Sequence, residues 1–349
     1  MSRRAGRLLA ILCLAAVMPG CSTLGYYLQA AGGHWELMRA ARPIDEWLAD
    51  PATPADLRSQ LETVRQLRHF ASAELGLPDN DSYRAYADLG RPFAVWNVVA
   101  ATEFSTRPRQ WCFPFAGCVS YKGWFDATAA EAAGRAIEGE GYEVFVHGVP
   151  AYSTLGWFSD PMLNTTIRQP RQELARLLFH ELAHQVAYAS GDSSFNESFA
   201  TLVEREGVRR WLARHGTDAE RQAFAAADHR RAGFVALILS GRDELDRLYA
   251  SPLPDDARRR AKADVLAGVV ARYQDLRREW GGYSGYDRWF AKPLNNAHVA
   301  SVATYTELVP GFERLLVEAG ADLPRFYGAV KQLARADAAE RTRVLGIGP

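Results

Sequence analysis

The 349-residue chain is 48% hydrophobic and 23% charged, enough apolar material to bury a large core without metal or disulfide support. Its 41 basic and 41 acidic residues balance, and they are interspersed, as in ERQAFAAADHRRAGF and DDARRRAKADVLAGVV, which read as solvated helix faces. A nucleic-acid partner is not expected, because no clustered basic excess is present.

Residues 1–20 stand apart from the rest. Arg3, Arg4 and Arg7 precede the apolar run LLAILCLAAV, which reads as a secretory signal and is too short to span a membrane. The run ends in MPGC, which resembles the lipobox of bacterial lipoproteins, where the cysteine becomes the lipidated first residue; Pro19 is an atypical neighbour. Ser22 resembles the outer-membrane form of that signal. The expectation is a mature chain of residues 21–349, held by lipid on Cys21 to the outer membrane and facing the periplasm. Loss of the three arginines leaves that chain mildly acidic.

Residues 26–42 have a helical apolar rhythm interrupted by Gly32 and Gly33, and Leu57, Leu61, Val64, Leu67 and Phe70 predict a helix over 54–75. RPFAVWNVVAATEF and GYEVFVHG are rich in β-branched and aromatic residues and read as strands, with a helix over 128–138 between them. Cys112 and Cys118 flank a loop that an oxidising compartment would let them close; two free buried thiols are the alternative. From residue 171 onward helices are expected at 171–190, 197–214, 217–250 with a break near Gly241, 255–279 and 311–336, and 282–310 reads as irregular. The fold class is therefore α+β, with a small sheet in the first half, a mostly helical second half, and lobes of about 44–165 and 170–340 within one unit. His147 and His229 have no motif around them and default to structural or surface roles.

The helix at 171–190 contains LLFHELAHQV. Side chains four residues apart on a helix point within roughly 40° of each other. His180 and His184 can therefore reach one divalent ion, with Glu181 at the edge of the same face, while Leu174, Leu178 and Leu182 pack the opposite face. A catalytic zinc site takes three protein ligands and leaves one position open. Glu197, thirteen residues past His184 in SFNESFATLVE, supplies the third if the GDSSFN turn folds the next helix back. The competing explanation makes Ser194 or Asn196 an N-cap with Glu197 in the first turn, where it would contribute only about 0.3–1 kcal/mol.

The pair FHELAHQ and FNESFAT resembles the zinc peptidases with a glutamate third ligand, the gluzincins, although the spacing between the two helices is shorter here. YYLQAAGGHWELM, GCVSYKGWF, GVPAYSTLGWFSDPML and NNAHVASVATYTELVP extend the resemblance to bacterial lipoproteins described as predicted aminopeptidases. The resemblance implies a zincin-like fold, Zn2+ on His180, His184 and Glu197, and Glu181 as general base. It also implies a Tyr or His from a distant segment as donor to the oxyanion, for which Tyr305 is the candidate, with His298 behind it. The AYSTLGWFSDPML segment would pair with the peptide substrate, and Asp160 is the acid available to meet its amino terminus; a turn role before Pro161 is the alternative. An envelope-protein endopeptidase and a non-catalytic zinc-binding lipoprotein are the competing functions.

Overall fold

The computed structural model describes residues 24–113, 117–303 and 308–346, so the candidates Cys21 and Tyr305 lie outside the described residues. The architecture is α+β. Residues 24–40 form α1, followed by β1 (Ala41–Pro43), α2 (Ile44–Ala49), α3 (Ala55–Ala73), β2 (Ala85–Ala87) and β3 (Val95–Thr102). Then come β4 (Trp111–Phe113), β5 (Gly117–Val119), β6 (Lys122–Trp124), α4 (Ala127–Gly139), β7 (Tyr142–Val149) and β8 (Met162–Leu163). The second half is α5 (Arg171–His184), α6 (Ser193–His215), α7 (Asp218–Tyr249), α8 (Asp255–Glu279), α9 (Asn296–Ala303), α10 (Val309–Glu318), α11 (Leu323–Arg335) and α12 (Ala338–Leu345). Among these helices, none is long and apolar enough to cross a membrane.

Strand β3 is the centre of a β6-β3-β7 sheet, antiparallel to both neighbours. Its alternation builds two cores, since side chains two apart share a face. Val98 and Ala100 join Ala130 and Ile137 of α4, whereas Val99 joins Phe145, Ala297 and Ala300 on the α9 side. A second sheet, β1-β2-β8, lies just before α5, and β4-β5 is a separate hairpin. Cys112 and Cys118 are directly paired across that hairpin and joined by a disulfide.

The largest core packs α3, α5, α6, α10 and α11 around Phe179, Phe195, Phe199, Phe312 and Phe326. Leu174, Leu178 and Leu182 are fully buried in it. Gly207 of α6 is what lets α5 come close: a Cβ there would stand 2.7 Å from Phe179 Cδ2 and 2.9 Å from Leu75 Cδ1. Gly207→Ala is expected to destabilise the protein by about 1–3 kcal/mol through overpacking, offset in part by about 1 kcal/mol of helix propensity. Equilibrium urea denaturation measures the net effect, and a stabilised variant would mean that Phe179 yields freely.

Several boundaries differ from the sequence expectation, each for a tertiary reason. Gly33 does not interrupt α1; a Cβ there would strike the Phe125 ring, so the glycine admits that ring against a continuous helix. Gly241 likewise leaves α7 unbroken and admits Val269 Cγ2, which would lie 2.6 Å from an added Cβ. Helix α5 ends at His184, not 190, where Gln185 accepts from Asn80 Nδ2 at 2.7 Å and donates to Ser82 Oγ at 3.2 Å. The expected 311–336 helix is two helices, because Gly320 and Ala321 turn through positive φ. The irregular stretch contains α9, with Asn295 Oδ1 accepting from His298 N at its start.

Candidate metal centre

Helix α6 begins at Ser193, four residues earlier than the sequence suggested, and its N-cap is Asp192, whose side chain accepts from Phe195 N. Glu197 therefore falls in the second turn, which removes the capping explanation for it. Asn196 is not a cap either. Its amide donates to Ala189 O at 2.9 Å and accepts from Ala189 N at 2.7 Å, a two-bond clasp across the α5–α6 connection. That clasp, together with Gly191 at φ +79°, makes the short link work.

The antiparallel pair brings His180 Nε2, His184 Nε2 and Glu197 Oε2 together. Their separations are 3.2 Å between the two imidazole nitrogens, 3.3 Å from His180 to Glu197 and 3.8 Å from His184 to Glu197. Zinc bonds of about 2.0–2.2 Å in a tetrahedron put neighbouring donors about 3.3–3.6 Å apart, so the spacing and the donor types fit such an ion. Glu181 is outside this trio and lies instead on the wall of a cavity of about 660 Å³ that also borders His180.

One partner of the site escaped the sequence reading. His180 Nδ1 is 2.9 Å from Glu204 Oε2, and the other Glu204 oxygen accepts from Arg176 Nη1 at 2.7 Å, with Arg176 reaching Asp228 at 3.3 Å. Glu204 stands seven residues after Glu197 and Arg176 four before His180, so each shares a helix face with one of the three converging side chains. A carboxylate on Nδ1 fixes the tautomer that presents Nε2 to an ion. Glu204→Gln is expected to weaken metal binding about 10–100-fold, read by competition with a chromophoric chelator. Unchanged affinity would strip Glu204 of this role. The His184 Nδ1 is buried without a hydrogen-bond partner among the described residues.

Electrostatics follow from this packing. Burial raises the Glu181 carboxyl to about 7, with the positive charge of His180 opposing and the negative charge of Glu197 adding. Burial pulls His180 down, but hydrogen bonds to Glu197 and Glu204 outweigh it and hold the imidazole well above its usual value. Burial lowers His184 to about 4. Burial would raise Glu197, yet His184 and His180 carry it below the ordinary carboxylate range.

The remaining candidates divide. Asp160 is fully buried and its carboxylate accepts from Thr154 N at 2.8 Å, Thr154 Oγ1 at 2.9 Å and Ser153 Oγ at 3.4 Å. It staples the 153–160 loop, the turn alternative, and is not open to a substrate amine. His298 is buried on α9, stacked on Phe145 with centroids 3.9 Å apart, and its Nδ1 meets Asn295. Tyr121, between β5 and β6, was not singled out from sequence. Its side chain is 37% exposed, while desolvation, then the charges of Glu197, Tyr188 and Glu181, push its phenol well above its usual value.

A family model described as "putative aminopeptidase" matches residues 25–345. No curated protein and no solved structure matches the chain.

Proposed function

Because the chain belongs to this aminopeptidase family, we propose that it is a zinc-dependent peptidase of zincin-like fold that removes residues from the amino end of peptides. The observation that carries the metal part of this reading is the convergence of His180, His184 and Glu197, with a carboxylate beside them that is not one of the three. A structural zinc site is normally closed by four protein ligands and has no use for such a residue.

Zinc held by these three side chains would supply Lewis acidity toward a peptide carbonyl and toward the attacking water. Glu181 takes the proton of that water and delivers it to the leaving amine, which frees the new amino terminus. Its buried position keeps the proton affinity close to neutrality, suited to both halves of the transfer. Glu204 keeps the His180 imidazole oriented through Nδ1 while Arg176 balances the carboxylate charge. Tyr121 and, outside the described residues, Tyr305 are the phenols considered for hydrogen bonding to the developing oxyanion.

Anchoring through lipid on Cys21, with the enzyme facing the periplasm, remains part of the proposal. Leu24, Leu28 and Trp35, spaced to share one face of α1, are exposed immediately after that position, as an interfacial helix would have them.

The deciding experiment combines metal analysis of the purified protein with hydrolysis of aminoacyl reporters and of matched peptides bearing a free or an acetylated amino terminus. Zinc at one equivalent and cleavage of free peptides alone are expected. Equal cleavage of acetylated peptides would replace the aminopeptidase with an endopeptidase, and bound zinc without any hydrolysis would leave a binding lipoprotein.

A further inference from the structure

Resting on the peptidase reading, we infer that the cavity beside His180 and Glu181 receives the side chain of the substrate's first residue and selects aromatic or large aliphatic ones. The cavity, about 660 Å³, lies within the size range of small-ligand sites. Its near wall is α5, and its far wall is aromatic: Phe145 from β7, Phe234 from α7, and Tyr286 and Trp289 from the stretch before α9. These rings brace one another. Phe234 stacks on Tyr286 with centroids 4.2 Å apart and meets Trp289 edge-on at 5.2 Å, and Trp289 meets Phe145 at 6.4 Å. Rings fixed in this way present apolar faces and edges beside Glu181 without having to reorganise when a substrate ring arrives.

Apart from Glu181, the base itself, the charged groups lining the cavity are committed to each other. Arg176 pairs with Glu204 at 2.7 Å, and Arg231 reaches Glu173 at 3.3 Å, so a charged substrate side chain entering here would lose water without gaining an unspent partner. His147 shares the Phe145 face of β7 and borders the cavity, and burial lowers it to about 4, so it adds no positive charge at neutral pH. An enzyme that releases the first residue must hold that side chain in a recess next to its base, because no earlier residue is present to position the bond.

The test measures kcat/KM of the full-length, zinc-loaded protein on aminoacyl reporters carrying Phe, Leu, Ala, Lys or Asp. Phe and Leu are expected to exceed Ala by about 10–100-fold, with Lys and Asp lower still. Ser301→Phe, which would fill the recess from α9, should cut the Phe-to-Ala ratio at least about tenfold, and Trp289→Ala, which opens the opposite wall, should also lower it by about tenfold. The two variants lie on different elements, and the wild-type profile decides without either of them. A flat profile, a preference for Lys or Asp, or a Phe-to-Ala ratio unmoved in a folded variant overturns this inference alone. No turnover of any reporter or peptide would instead remove the peptidase reading on which it rests.

Discussion

Replacing Glu181 by glutamine is expected to lower kcat/KM by about 10²–10⁴-fold while bound zinc stays at the wild-type level. The two halves of that result depend on different atoms. The ion would be gripped by His180, His184 and Glu197, whose donors already stand 3.2–3.8 Å apart, and none of these is touched by the substitution. Glutamine keeps the size of the side chain but cannot take a proton from water. The pH profile separates this from mere distortion. A base with a carboxyl raised to about 7 must be ionised to act, so the wild-type rate should climb as pH rises through that value or somewhat below it, since a nearby cation favours the carboxylate. The glutamine variant should lack this acid limb. A variant with normal turnover would end the general-base assignment, and one that loses zinc as well would make Glu181 a ligand.

Glu197→Ala should instead cost the metal. A structural zinc ion contributes about 10–16 kcal/mol through four ligands, so one ligand accounts for about 2.5–4 kcal/mol, a loss of affinity of roughly 70–900-fold. If Glu197 served only the α6 dipole, alanine would cost a few tenths of a kcal/mol and leave metal binding alone. Its place in the second turn already speaks against that, since the N-cap duty belongs to Asp192. Dialysis against a weak competing ligand followed by metal analysis distinguishes the two. Retention of zinc by Glu197→Ala at wild-type affinity would dissolve the proposed centre.

What the sequence made legible were features governed by local geometry. The four-residue step between His180 and His184, the Leu174–Leu178–Leu182 stripe and the β-branched strands β3 and β7 depend on repeat angles that hold wherever the segment sits. What stayed hidden was decided by distant neighbours. Nothing near Gly33 or Gly241 announces the Phe125 ring or the Val269 methyl that those glycines admit, so both looked like breaks. The end of α5 at His184 depends on Asn80 and Ser82, about a hundred residues earlier. Glu204 was readable in principle from its seven-residue step after Glu197, but only the cross-helix contact with His180 gives that step a meaning. Asp160 had two readings in its segment, and its bonds to Thr154 and Ser153 of its own loop favour the turn role.

The double bond-pair between Asn196 and Ala189 reaches beyond the geometry of one turn. With the loop between α5 and α6 latched by protein groups alone, the proposed ligands would stand in register for an ion before it arrives, unlike small domains that collapse only around their metal. Stripping zinc should leave the far-ultraviolet circular dichroism essentially unchanged, and reloading should be rapid. Helical signal that disappears with the metal would mean that the latch does not hold by itself.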